Sequence, residues 1–157
     1  MQPSVAAKRY YEITHTRVPP QLEAIRADEI PLDRHGSILF IQASINGVPG
    51  RFILDTGASV TSVVPDSLQK FKIIPSSQTA KMRTANGAVH AALAYADIEL
   101  GQHTLRQAMI SVLPEGLGPD CDGLFGLDSL RQLNAQLDTV RGCLVIQDEQ
   151  SESLFGN

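Results

Sequence analysis

Apolar and polar positions alternate over short stretches of this chain, and glycine, proline or asparagine separates one stretch from the next. That pattern predicts many short strands rather than long helices. Ile38-Leu39-Phe40-Ile41 through Ile45 is the first clear strand, and Asn46-Gly47 behind it is a tight-hairpin signal. Arg51 to Leu54 is the return arm. Val60 to Val64 predicts another strand, and Pro65 to Gln69 one helical turn. Lys81 to His90 predicts a second hairpin with Asn86-Gly87 at its tip and a second arm running on to Leu100. Gly101-Gln102 turns the chain into a strand over Leu105 to Leu113, and Pro114 to Asp122 is a Gly/Pro-rich loop in which Asp122 is expected to cap a turn. Leu124-Phe125 reads as a short buried strand, and Asp128 is placed to cap a short helix ending near Leu133. Ala135 to Asp138 and Cys143 to Ile146 form a last hairpin around Thr139 to Gly142.

Residues 1–36 have a different character. Tyr10 to Thr14 has strand-like composition, Val18-Pro19-Pro20 breaks it, and Gln21 to Ile30 has helix-compatible spacing that Pro31 ends. The expected organisation is an N-terminal extension over 1–36, one domain over 37–147 and a polar tail over 148–157. Many short strands with a single short helix near the end imply an all-β, closed barrel of mostly antiparallel strands.

Composition narrows the partners. At 157 residues the chain suits one domain with a real core, so folding needs neither disulfides nor a metal. The net charge is −4 and the basic residues do not cluster, which argues against a nucleic-acid partner. No apolar run reaches membrane-spanning length, and no secretory signal pattern opens the chain. A cytoplasmic protein is expected, unless a leader has been trimmed. The two cysteines, Cys121 and Cys143, have neither Cys-x-x-Cys nor zinc-ligand spacing and read as small buried thiols. His15, His35, His90 and His103 are scattered, so no metal or other cofactor is expected.

Two segments carry the chemistry. Asp55-Thr56-Gly57-Ala58-Ser59 leaves the apolar run Phe52-Ile53-Leu54, which puts an acid at a glycine-containing turn directly after a strand. Far downstream stands Asp122-Gly123-Leu124-Phe125-Gly126-Leu127. Together, with a hairpin between them, they resemble the active-site loop, flap and hydrophobic-hydrophobic-glycine element of the retropepsin-like aspartic peptidases. The resemblance covers about Ser37 to Ile146. It implies a retropepsin-like (acid protease) barrel with a flap hairpin and one short C-terminal helix.

It also implies roles. Asp55 would activate a water, Thr56 would brace the opposing loop, and Gly57 would make the sharp turn. Ala58, Ser59, Leu124 and Phe125 would line the substrate site, and Thr84, Ala85, Asn86 and Gly87 would form the closing flap. The chain has one such loop, and the chemistry needs two carboxylates. The resemblance therefore implies a homodimer cleaving a peptide or protein substrate, with one Asp55 from each subunit. Leu137-Asp138-Thr139-Val140 echoes the loop, but Val140 stands where the turn needs glycine, so it is not a second site.

The chain departs from the retroviral pattern in two places. Leu127 replaces the arginine that follows the glycine there, and Ser59 and Val60 follow Ala58, so that ion pair is missing. The tail Gln147-Asp148-Glu149-Gln150 lacks the apolar strand that retroviral dimers interleave, which leaves the bracing of the dimer open. These departures give a second reading: a non-catalytic peptide- or protein-binding module on the same fold.

Overall fold

Alternation produces the strands. In Ile38–Ile45, the side chains of Ile41, Ala43 and Ile45 are buried while Gln42 between them is exposed. The computed structural model describes residues 27–84 and 86–147. Its strands are β1 (Ala27–Pro31), β2 (Asp33–His35), β3 (Ile38–Ile45), β4 (Val48–Leu54), β5 (Ser62–Val63) and β6 (Thr79–Thr84). They continue with β7 (Gly87–Leu100), β8 (His103–Val112), β9 (Gly123–Phe125), β10 (Ala135–Asp138) and β11 (Cys143–Gln147). One 3-10 turn, Pro65–Ser67, and one α-helix, α1 (Leu127–Gln132), complete the described residues. No helix among them is long and apolar enough to cross a membrane.

The large sheet runs β2-β3-β4-β9-β5-β8-β7-β6, and β3 pairs again with β7. That extra pairing, Ser44↔Glu99 and Ile45↔Ile98, closes the sheet into a ring. Asn46 extends the closure. Its N–H donates to Asp97 O at 2.9 Å, and its side-chain carbonyl accepts Asp97 N–H at 3.0 Å. Its amide also donates to Phe71 O at 2.9 Å. Asp97 is free to turn toward Asn46 because it sits in an irregularity of the β7–β8 ladder, between Ala96 and Ile98. The hairpin residue read as a turn former is thus also the clasp of the ring. Asn46 takes φ 52°, as an Asn-Gly turn requires.

A second sheet, β1-β11-β10, packs on the same core through α1. Ile30, Leu130, Leu133, Leu144 and Ile146 join Phe52, Val63, Ile98, Ile110 and Phe125 in one apolar cluster. Phe71 stacks on Phe52 with ring centroids 6.0 Å apart. Each such fully buried side chain contributes about 2–3 kcal/mol. The buried Glu29 of β1 is ion-paired with Arg141 in the β10–β11 turn, which fastens the first described strand to the last hairpin. Cys121 and Cys143 are buried free thiols. Burial, with Glu29 adding to it, pushes the Cys143 thiol up to about 11, far from a reactive thiolate.

Several elements differ from the sequence expectation. The expected helix over Gln21 to Ile30 is, in its described part, the strand β1, paired antiparallel with β11 (Ile30↔Leu144). A short amphipathic segment gains little as an isolated helix, whereas the free edge of β11 offers it a ladder. Pro31 is tolerated because β1 is an edge strand. Two strands, β1 and β2, precede residue 37, where the domain was expected to start. The predicted strand Val60 to Val64 is regular only over Ser62–Val63. Two pairings are parallel, β4–β9 and β5–β8. Hairpin signals reveal only antiparallel neighbours, because parallel strands need long connections that leave no local mark. The remainder of residues 1–36, from 1 to 26, and the tail over 148–157 lie outside the described residues.

Asp122 shows how a loop residue can organise the ring. It was expected to satisfy a local turn. Instead its carboxylate accepts Arg51 N–H at 3.0 Å, the Ser67 hydroxyl at 2.7 Å and Lys70 Nζ at 2.9 Å. Burial pushes its pKa up, but the Arg51 N–H, Lys70 and Ser67 outweigh that and hold it below the ordinary 3.8. A depressed folded pKa gives stability that is present above the unfolded value and lost as pH falls through the folded one.

Two predictions follow from this architecture. Asp122→Ala should lose about 1–2 kcal/mol at about pH 6, and its deficit relative to wild type should shrink as pH drops below 3.8; urea melts at several pH values measure both. A Cβ on Gly123 would lie 1.9 Å from Ser62 O, whereas one on Gly116 would meet nothing within 4 Å. Gly123→Ala should therefore cost more than about 3 kcal/mol and Gly116→Ala less than about 0.5 kcal/mol, read as shifts in denaturation midpoint.

Candidate active site

The site is built where β9 slides between β4 and β5. β9 runs parallel to β4 (Phe52↔Gly123, Ile53↔Leu124, Leu54↔Phe125) and antiparallel to β5 (Ser62↔Leu124, Val63↔Gly123). The loop from Asp55 to Thr61 leaves one neighbour of β9 and returns on the other. β9 can enter because it has glycine where it must. A Cβ on Gly126, just past its end, would fall 2.7 Å from Val60 C and 2.8 Å from Thr61 N.

Asp55 stands one residue beyond β4 and is half-buried. Its N–H donates to Phe125 O at 3.0 Å, and its carbonyl accepts Ala58 N–H at 3.1 Å. The carboxylate Oδ1 accepts Gly57 N–H at 3.0 Å, so the turn's own backbone orients it. Thr56, Gly57 and Ser59 are exposed and Ala58 is half-buried. The Ala58 carbonyl accepts Leu127 N–H at 2.8 Å. Of the predicted site residues, Phe125 is thus joined directly to the Asp55 loop and lies fully in the core, while Leu124 pairs with Ile53 and Ser62 in the strands that flank it.

The predicted flap residues lie on another hairpin. Among the described residues β6 pairs with β7 alone, from Thr79↔Ala92 to Thr84↔Gly87. With Thr84 opposite Gly87, Gly87 is the first residue of the returning strand rather than part of the tip. Asn86 is exposed, and Ala85 lies outside the described residues. The register gives the hairpin two faces. Met82 and Val89 are paired and half-buried on one, while Lys81, Arg83 and His90 are exposed on the other.

A group of residues that the sequence did not single out holds the loop's far end. Thr61 N–H and its hydroxyl both donate to Asp128 Oδ1, each at 3.0 Å. The Thr61 hydroxyl oxygen accepts Gly126 N–H at 3.0 Å and lies 2.6 Å from the Ser129 hydroxyl. Thr61 and Ser129 are buried. Asp128 was expected to cap α1, but the N-cap is Gly126, and the Asp128 carboxylate turns to Thr61 and to Ser129 N–H at 2.7 Å. The available signal was slight: Thr61-Ser62 stands between Val60 and Val63, and Asp128-Ser129 between Leu127 and Leu130. Asp138, in the stretch that echoes the Asp55 loop, is occupied with turn formation. Its Oδ1 accepts the N–H groups of Val140 and Arg141 at 3.1 and 3.0 Å.

This arrangement has relatives. Residues 41–132, more than half of the chain, match the gag-polyprotein putative aspartyl protease family. The chain is 29% identical over 150 residues to DNA damage-inducible protein 1 of Phaeosphaeria nodorum, a match covering 92% of this chain and 33% of that protein. It therefore spans about a third of that relative's length. Among solved structures it is similar to a retropepsin-like aspartic protease from Rickettsia conorii, with a TM-score of 0.55 and 22% identity over 78% of this chain and 89% of that one. It is similar also to EIAV protease complexed with the inhibitor HBY-793, with a TM-score of 0.52 and 17% identity over 68% of this chain and 97% of that one. At those identities the two structures speak for the fold. The family match covers the Asp55 loop, β9 and α1 alike, and by it the chain belongs to the gag-polyprotein putative aspartyl proteases, of the retropepsin-like kind.

Proposed function

We propose that this chain is one half of an aspartic endopeptidase, active as a homodimer in which each subunit contributes Asp55. The observation that carries this reading is the mounting of Asp55. A half-buried carboxylate is oriented by Gly57 N–H, its backbone is tied to Phe125, and the turn around it is exposed at Thr56 and Gly57. One such loop per chain is half of a dyad. A two-fold axis passing beside the exposed turn would supply the other half.

The chemistry then follows the pattern aspartic proteases share. One carboxylate takes a proton from a water held between the pair, and the water oxygen attacks the peptide carbonyl carbon. The partner carboxylic acid gives its proton to the carbonyl oxygen, forming a tetrahedral diol. Proton transfer to the amide nitrogen lets the C–N bond break and frees the amine and the acid. Two carboxylates this close cannot both ionise cheaply, so they share one proton and titrate as a pair.

The β6–β7 hairpin fits the role of flap. Its Met82–Val89 face offers apolar surface to a bound chain, and Asn86 and Gly87 at its end are exposed. The substrate class supported is an extended peptide, held by backbone hydrogen bonds along the cleft and flap.

Two measurements test the proposal. Asp55→Asn should lower cleavage of a peptide mixture at about pH 4–7 by about 10²–10⁴-fold while leaving the circular dichroism spectrum unchanged; retained cleavage refutes the assignment. Activity per subunit should fall on dilution through the dimer dissociation range. A profile that stays flat while sedimentation reports monomers would rule out the shared site.

A further inference from the structure

Most ties of the 55–61 loop to the rest of the fold go to one contiguous segment, 125–129; the other is the Thr61 carbonyl, which accepts Ser111 N–H of β8 at 3.0 Å. Asp55 N–H meets Phe125 O, Ala58 O meets Leu127 N–H, and Thr61 meets Gly126, Asp128 and Ser129. The ends of the loop are not held alike. At Asp55 the backbone tie is a single bond. At Thr61 several bonds converge on one buried hydroxyl and one carboxylate oxygen. A carboxylate oxygen only accepts, so the Thr61 hydroxyl proton goes to Asp128. Its two lone pairs then take Gly126 N–H and the Ser129 hydroxyl proton. The donor and both acceptor sites of that hydroxyl are thus used, and its orientation is fixed.

We propose that Asp128, acting through Thr61, is the positioning residue that sets where Asp55 stands. It takes the place of the ion pair that Leu127 and Ser59 cannot make. This inference rests on the proteolytic reading for its catalytic consequence, but its structural half stands alone. Asp128 does not touch substrate. It fixes the return arm of the loop against α1, and the loop is too short for one arm to move without the other. Separation of the two Asp55 carboxylates controls how strongly they couple. Loosening the clamp therefore weakens the coupling rather than abolishing the acid.

The test uses the full chain with Asp128→Ala, Asp128→Asn and Thr61→Val. All the donors on Asp128 converge on Oδ1, and an asparagine amide oxygen can accept the same bonds. Asp128→Ala and Thr61→Val should lower kcat by up to about 100-fold with KM little changed, as expected for a displaced catalytic group. The acid and alkaline limbs of the kcat/KM profile should move toward each other in both. Asp128→Asn should restore kcat and profile width. Independently of activity, hydrogen exchange at residues 55–61 should quicken in Asp128→Ala and return to wild type in Asp128→Asn, with β7–β8 unaffected in each. Wild-type kcat, profile and exchange in Asp128→Ala would overturn the proposal, as would an Asp128→Asn variant as impaired as the alanine. A wild-type chain that cleaves nothing would instead refute the proteolytic reading, and the exchange comparison would still decide whether the clamp exists.

Discussion

The fold turns on a single close approach, the passage of β9 between β4 and β5 with no room for a side chain at two of its positions. Gly123 faces the Ser62 carbonyl and Gly126 faces Val60 and Thr61, at distances that any Cβ would violate. Because the backbones lie so close, Leu124 pairs on both sides at once, with Ile53 and with Ser62. That double pairing joins the strand leading into the Asp55 loop to the strand leading out of it. The two parallel ladders of the large sheet, β4–β9 and β5–β8, meet around this same passage. Ring closure at Asn46 and Asp97 lies elsewhere on the ring and keeps the far side from opening. The site therefore sits beside a tightly constrained passage of the sheet, where a side chain can be held by bonded strands rather than by a free loop.

Much of this was legible in the chain, and the boundary of legibility has a physical cause. The Asn46 hairpin, the loop at Asp55, the Leu124-Phe125 strand and the last hairpin over residues 135–147 all appear where the hydrophobic pattern puts them, with Phe125 buried and Leu124 half-buried. Each is local, made by residues a few positions apart. What escaped was made across distance. β1 was taken for helix because its partner β11 is more than a hundred residues away. Parallel pairing of β4 with β9 leaves no turn signal. Asp128 was assigned to its own helix because capping is a local rule, while its actual partner, Thr61, lies 67 residues earlier. Asp122 went the same way, its carboxylate reaching back to Arg51, Ser67 and Lys70. Both acids stand in loops or helix starts where a local role suffices to explain an aspartate, so nothing in the sequence forced a longer reach.

Magnitudes explain why such long-range ties collect at this loop. In the proposed dimer, two like charges about 4 Å apart repel by about 4 kcal/mol at the effective dielectric of a partly buried site. A shared proton removes most of that, and the pair keeps one proton through the cycle, because one carboxylate gains a proton as the other gives one up. The mounting must still hold when rising pH strips that proton and both groups carry charge. Single hydrogen bonds contribute about 1 kcal/mol net, and those to a charged acceptor about 1.5–3 kcal/mol. One backbone bond at Asp55 would be too weak to hold the loop against that repulsion. The added bonds from Thr61 to Asp128, Gly126 and Ser129 bring the total into the required range. An unclamped loop would yield to the repulsion by moving apart. The pair would then lose the coupling that makes one carboxyl an acid while its neighbour remains a base.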